Sequence, residues 1–315
     1  MISIIIPCKD RENDLKQCIS SIYVAKSVFC NLYDEEVEVI VANDHSKDDF
    51  NSKIFHFNSD INVYDVQGYG PGSARNEAFN IARGKYVFFT DSDCVVDKKW
   101  LINGYSAICD SEYIVQGNPT LYQKKNWLGE QEELLYRTMF SRYIVNFDDA
   151  QMTDSRNLIL KKKISEKFGD KIFADTQDKA TAESRVFAKR AMLQNFKIKY
   201  SEHVKIYHKD PKTLLEACRQ KYRHGCGRIL LWDKKQDFTF LENRYFTIPI
   251  ENGIDCSYVF LTHACFLLGF FSSFKCTDYA YYNYFLDWIK AMRQKYAYNK
   301  VEEEELDRVF CVVLG

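Results

Sequence analysis

Hydrophobic and polar positions alternate with two different periods along the first third of the chain, and the switches between them mark out strands and helices in turn. Ile2-Ser3-Ile4-Ile5-Ile6-Pro7 is a β-branched run, apolar on both faces, and reads as a buried strand ending at the proline. Leu15, Cys18, Ile19 and Ile22 then fall at i, i+3, i+4 and i+7, the stripe of an amphipathic helix, with Asn13 or Asp14 as its cap. Glu36–Ala42 alternates at its start and reads as a second strand, closing in the polar run Asn43–Asp49. Asn62–Val66 suits a third strand. Behind it, Gly68-Tyr69-Gly70-Pro71-Gly72 leads into a helix with Ala74, Ala78 and Ala82 on one face. Tyr86–Thr90 is a fourth strand, apolar on both sides, and it runs directly into Asp91-Ser92-Asp93.

Strands that alternate with helices imply a mostly parallel sheet covered on both faces, and such sheets bind ligands beyond the carboxyl ends of their strands. Three polar clusters lie at that edge. On extended backbone Asp91 and Asp93 share one face and converge on a divalent cation; the competing reading is a polar turn capping a helix near Trp100. The glycine-rich stretch also has two readings, a pyrophosphate cradle of backbone amides or a loop of small residues opening a helix. Its third glycine comes one residue early for a dinucleotide fingerprint.

Composition narrows the class. With 315 residues, 46% of them hydrophobic, the chain can bury a sizeable core, and its 43 basic and 44 acidic residues nearly cancel, which excludes a general nucleic-acid binder. Eleven cysteines without a Cys-x-x-Cys pair fit neither a zinc cluster nor a disulfide framework and read as reduced thiols. Met1 runs straight into the first strand, so no secretory signal is expected and the protein is placed in the cytoplasm.

Ile4-Ile5-Ile6-Pro7, Asn43-Asp44-His45-Ser46-Lys47-Asp48, Gly72-Ser73-Ala74-Arg75-Asn76 and Gly84-Lys85-Tyr86-Val87 leading to Asp91-Ser92-Asp93 together resemble, in order and spacing, the family 2 glycosyltransferases of the GT-A fold. The resemblance implies an α/β, doubly wound, mostly parallel, Rossmann-like sheet, taken over residues 1–235; residues 236–315 lie outside it and read, from their apolar and aromatic runs, as a helical extension. It also implies transfer of a sugar, by an inverting displacement, from a nucleotide-diphosphate donor of the UDP type to a carbohydrate, lipid-linked or peptide hydroxyl. Pro7, Asp44, Arg75, Asp91 and Arg223 would bind the nucleotide sugar. Asp44 would read the base, Arg75 would lie near the phosphates, and Asp91 and Asp93, with His208, would hold Mn²⁺ or Mg²⁺ at the diphosphate. The family usually has Asp-Asp-Gly-Ser where this chain has Asn43-Asp44-His45-Ser46.

Further along, Asp154–Lys161 resembles the family's Asn-containing strand, and Ala180–Arg190 stands where the motif carrying the general base is found. There Glu183 matches the family's Glu, and Ser184 replaces its Asp. Glu183 is therefore the candidate base, against a plainer role at a helix start, with Asp175 or Asp178 next in line. Ser184 keeps alive a rival from another class, a nucleotide-sugar-binding or scaffold protein that has lost catalysis. Val204–His208 resembles the strand that ends in a metal-side histidine. Residues 205–235 hold nine Lys or Arg against three Asp or Glu, a segment suited to anions. Within it, Gln220–Gly225 resembles the family's Gln-x-x-Arg-x-Gly region and brings in Arg223 and His224 for the leaving diphosphate. Tyr258–Phe271 is strongly apolar yet shorter than the roughly twenty residues that span a bilayer. With the aromatic-rich Tyr279–Trp288 it reads as buried helix, as a homo-oligomer contact, or as a peripheral anchor at the inner face of the membrane through residues 254–290. Glu302–Glu305 reads as a solvated acidic turn.

Overall fold

A computed structural model of the chain describes residues 1–47, 50–58, 60–119, 121–141, 143–146, 149–174, 183–228 and 256–272. The strands are β1 (Ile2–Cys8), β2 (Val37–Asn43), β3 (Ile61–Asp65), β4 (Tyr86–Phe89), β5 (Cys94–Val96), β6 (Ile114–Asn118), β7 (Ile144–Asn146), β8 (Asp149–Ala150), β9 (Leu158–Lys161) and β10 (Ile198–His208). The helices are α1 (Glu12–Cys30), α2 (Phe50–Phe57), α3 (Gly70–Ile81), α4 (Trp100–Cys109), α5 (Trp127–Ser141), α6 (Ser165–Phe168), α7 (Glu183–Leu193), α8 (Leu214–Arg228) and α9 (Cys256–Ser272).

Eight of the strands form one sheet in the order β3-β2-β1-β4-β9-β6-β10-β5. β1 pairs in parallel with β2 and β4, β2 with β3, and β6 with β10, whereas β9 and β5 run against their neighbours. The doubly wound, mostly parallel α/β expectation therefore holds, with the reversed β9 set into the middle of the sheet. Alternation along β1 explains the two-sided core. Ile2, Ile4 and Ile6 join α1, α2 and α4 on one face through Leu15, Ile19, Ile54, Trp100 and Leu101. Ile5 faces the other side, where α3 and α7 bring Ala74, Ala78, Phe79, Phe187 and Ala188.

Three local expectations change. β1 continues through Pro7 to Cys8, because a proline still offers its carbonyl and fits a strand where no N–H is required of it. α1 starts at Glu12 behind Arg11, which makes no side-chain cap bond, so Asn13 and Asp14 lie inside its first turn. Asp14 accepts instead from Lys209 Nζ at 2.5 Å. Val204–His208 is the end of a longer strand, β10, which begins at Ile198 and carries a register shift between Ser201 and Lys205.

α9 packs along α8, and a Cβ added at Gly269 would run into the Tyr222 carbonyl, so the two backbones approach closely. Tyr258 and Thr262 are buried, and the Tyr258 hydroxyl donates to Glu132 of α5 at 2.5 Å. Of the three readings of this segment, packing within the chain is what the described residues display. No helix among them is long and apolar enough to cross a membrane. Tyr279–Trp288, Glu302–Glu305, Asp175 and Asp178 lie outside the described residues, as does most of the expected extension over 236–315.

Candidate active site

β1, β2 and β4 are parallel, so their carboxyl ends open on one edge of the sheet, and the antiparallel β9 starts there because Leu158 is opposite Phe89. The site is built on that edge. Behind β4 the backbone turns instead of staying extended: the Cys94 amide donates to the Asp91 carbonyl at 3.1 Å. The premise that Asp91 and Asp93 share a strand face is therefore replaced by a tight turn, and the two carboxylates take different partners.

Asp91 turns to Arg75. The guanidinium of Arg75, only 2% exposed, donates from Nη2 to Asp91 Oδ1 at 2.5 Å and from Nη1 to Glu183 Oε1 at 2.8 Å, and it lies 5.9 Å from the centre of the Phe173 ring. Burial alone would lower the Arg75 pKa, but Asp91 and Glu183 raise it, so the group stays charged. Arg75 is thus a buried bridge between the acidic turn and the first residue of α7. Glu183 is itself buried, accepts a longer bond from Ser155 Oγ at 3.4 Å, and leaves Oε2 without a hydrogen-bond partner. Ser184 is buried as well, and its carbonyl accepts from the Thr153 hydroxyl.

Asp93 turns the other way. One oxygen pairs with Arg11, and Oδ1 lies 3.4 Å from His208 Nε2. Burial would raise the Asp93 carboxyl, but His208 and Arg11 outweigh it and hold the group below its usual range. The Lys209 amide donates to the Asp93 carbonyl at 3.0 Å, fastening the end of β10 to the turn. His208 is buried with Nδ1 unpartnered, and its ring meets the Tyr122 ring edge-on at 5.2 Å. Cys94, directly opposite His208 in the β5–β10 pair, completes a group whose ligand atoms all lie within 4.8 Å of one another: Asp93, Cys94 and His208. Burial, with Asp93 and Asp91 beside it, raises the Cys94 thiol far above the usual range. A carboxylate, an imidazole and a thiol make a donor set that fits a divalent cation.

Asp44, the residue expected to read the base, is buried just past the end of β2. Its Oδ2 accepts from the Gly70 amide at 3.2 Å and its Oδ1 from His45 Nδ1 at the same distance. His45 has φ +57°, the left-handed region that explains why a glycine is usual there, and its ring stacks on Tyr69 at 4.2 Å with 12° between the planes. Asn43 departs from the expected acid for a visible reason. Its Nδ2 donates to Asp65 Oδ1 at 2.8 Å, where a second carboxylate would be repelled. The glycine-rich stretch is the loop that opens α3, not a phosphate cradle: the Gln67 and Gly68 amides donate to Glu77. An added Cβ at Gly72 would strike the Ala174 carbonyl.

Pro7 is buried within β1, beside Ala42 of β2. Arg223 is exposed on α8, two residues and so more than half a turn past Lys221, whose Nζ reaches buried Glu132 at 2.6 Å. Arg11, Cys94 and Arg156 escaped the sequence reading. Arg156 forks onto Asp154, with Nη2 2.7 Å from Oδ2, and stacks on Tyr136 at 4.6 Å. Burial would raise Asp154, but this pairing holds it far below the usual carboxylate range, and Arg156 also lowers Asp93 through space. An arginine two residues after an aspartate in a polar 3-10 turn was the only local signal.

A model of glycosyl transferase family 2 matches residues 3–169, more than half of the chain. A poly(ribitol-phosphate) beta-glucosyltransferase of Bacillus spizizenii is 31% identical over 113 residues, 33% of this chain and 17% of the relative. The minor teichoic acid biosynthesis protein GgaA of Bacillus subtilis is 32% identical over 120 residues, 36% of this chain and 26% of the relative. The matched stretch thus takes in about a quarter or less of either relative's length. Among solved structures, a mannosyltransferase from Pyrobaculum calidifontis in complex with GDP-Man and Mn²⁺ aligns over 99% of this chain and 79% of its own, with TM-score 0.55 and 14% identity, a likeness of fold.

Proposed function

The chain belongs to glycosyl transferase family 2, and from that premise we propose that it moves a sugar from a UDP-type donor to a hydroxyl acceptor by one inverting displacement, within glycan or glycoconjugate synthesis. The observation that carries the reading is the unbroken succession of Asp91, Arg75 and Glu183. It joins the acidic turn, where the diphosphate is assigned, to the one buried carboxylate among the described residues whose second oxygen is unpartnered. Asp44 holds the base-side loop. Asp93 and His208 would hold Mn²⁺ or Mg²⁺, with Asp91 on the same turn, and the cation supplies charge stabilisation for the departing diphosphate without proton transfer. Arg11 and Arg156 add positive charge beside that turn, and Arg223 is assigned to the leaving group.

Glu183 Oε2 takes up the acceptor's proton as its oxygen attacks the anomeric carbon. The ion pair on Oε1 fixes the carboxylate's orientation, and burial of Oε2 excludes bulk water from the proton's destination. The curated relatives' names support an acceptor of the polyol-phosphate polymer kind. The test is release of nucleoside diphosphate in the presence of donor, Mn²⁺ and such polymers. Glu183→Gln is expected to keep donor affinity while losing on the order of 10²–10⁴-fold in transfer. Near wild-type transfer by that variant would remove Glu183 from the role.

One observation favours the non-catalytic reading: Glu183 is engaged by Arg75, and Ser184 supplies no second carboxylate. Nucleotide and metal binding without any turnover across a broad donor and acceptor panel would decide for it.

A further inference from the structure

We infer that Glu132 of α5 is a positioning residue for the donor site, acting through Tyr122, which it seats against the His208 ring. The inference rests on the reading of His208 as a ligand of the donor's cation, and it adds a residue from outside that site.

Gln131, Glu132 and Glu133 are consecutive in α5, and all three are buried. Three successive helical positions sweep about 200° of arc, so no single core-facing stripe accounts for them, and each needs a polar partner. Glu133 finds its partners in the loop before the helix, pairing with Lys124 Nζ at 2.6 Å and accepting from the Tyr122 amide at 2.9 Å. Glu132, only 1% exposed, collects donors from three separate parts of the chain. Its Oε1 accepts from the Tyr258 hydroxyl at 2.5 Å, and its Oε2 from Lys221 Nζ at 2.6 Å and the Tyr122 hydroxyl at 3.3 Å. Burial would raise the Glu132 carboxyl, but Lys221, the Tyr258 hydroxyl and His208 outweigh it and keep the group a buried anion.

Tyr122 is fixed at both ends. Its backbone pairs with the end of β10: the His208 amide donates to the Leu121 carbonyl and the Gln123 amide to the His208 carbonyl, each at 3.0 Å. Its hydroxyl is held by Glu132, with Arg156 beside it, and between these two ends the ring meets the His208 ring edge-on at 5.2 Å. Lys221 of α8 and Tyr258 of α9 in turn keep the carboxylate in place. A carboxylate accepts at two oxygens, whereas an amide accepts at one and turns N–H groups toward the remaining donors. Glu132→Gln therefore gives up at least one of the three bonds, and the bond to Tyr122 is the longest of them.

The test titrates Mn²⁺ into the full chain with UDP present and follows nucleotide binding by calorimetry. Glu132→Gln and Tyr122→Phe are each expected to raise the apparent Mn²⁺ constant about 10-fold, the low end of what changes behind a metal ligand cost. Glu130→Gln, exposed on the same helix, should leave it unchanged. In a His208→Ala background neither substitution should raise the constant further, because the residue through which they act is gone. An unchanged constant in Glu132→Gln, or a further rise of the same size on top of His208→Ala, overturns the inference and leaves Glu132 as a group that only docks helices. If Glu132→Gln does not fold, Tyr122→Phe decides by the same two outcomes, since it keeps the bonds of Glu132 to Lys221 and Tyr258. UDP binding that is independent of Mn²⁺ in the wild type would sink the cation reading of His208. The inference is then judged on the His208 ring resonance in NMR, assigned by its loss in His208→Ala: a shift in Glu132→Gln, with none in Glu130→Gln, upholds it, and an unmoved resonance overturns it.

Discussion

Replacing Arg75 by methionine would leave Asp91 and Glu183 facing each other without a counter-charge. Removing one partner from a buried ion pair costs about 3–5 kcal/mol, so Arg75→Met is expected to lose stability of that order in urea unfolding. A loss below about 1 kcal/mol would return Arg75 to a role facing the nucleotide. At the base side, Tyr69 is 54% exposed and stacked on a histidine held in the left-handed region, an arrangement suited to a flat ring. Tyr69→Ala should weaken UDP binding by about 1–3 kcal/mol in titration calorimetry, the usual worth of one base–aromatic stack. Unchanged affinity would place the base elsewhere. Residue by residue, the motifs located nearly all of this edge, because each lies just past a strand with an obvious apolar run. They did not reveal that Arg75 serves Glu183, 108 positions away, since nothing local distinguishes an arginine aimed at phosphate from one aimed at carboxylates. Cys94 was missed for a similar reason: its partner His208 arrives from a strand at the far end of the sheet.

α8 and α9 form the element whose behaviour should depend most on pH. Burial, with Lys221 next to it, pushes the His263 imidazole down to about 4. The unfolded chain, with an ordinary imidazole near 6.5, takes up its proton first as the pH falls. The fold therefore loses stability from about pH 6.5 down to about pH 4, and the loss is absent above that window. Urea midpoints measured at about pH 7.5 and about pH 5 should fall for the wild type and fall less for His263→Gln. Equal drops would mean that the imidazole titrates normally. Periodicity was informative for β1, β2, β4 and α1, where one period persists over several residues. It was silent on β5, β7 and β8, which are only two or three residues long, and on the bulge in β10, where pairing with β6 and then β5 imposes two registers on one strand.

At the scale of the molecule, donor and metal should stabilise the fold together, because Asp93 and His208 belong to different parts of the chain and a ligand held by both binds only the native state. Saturation at 100 times the dissociation constant corresponds to about 2.7 kcal/mol, a rise of several degrees in melting temperature with UDP and Mn²⁺. Chelation, or Asp93→Ala, should cancel it; a rise that survives both would detach the nucleotide from the acidic turn. The reversed strand β9 carries a consequence of another kind. Until it is synthesised, the growing chain displays β4 as a bare edge, Tyr86-Val87-Phe88-Phe89, with its row of amides and carbonyls open to any passing strand. Closure waits some seventy residues, which makes the nascent first half a client for chaperones and a source of inclusion bodies. A fragment ending before Leu158 should collect in the insoluble fraction, and one carried through Lys161 should be rescued in part, as expression trials with the two endpoints would show.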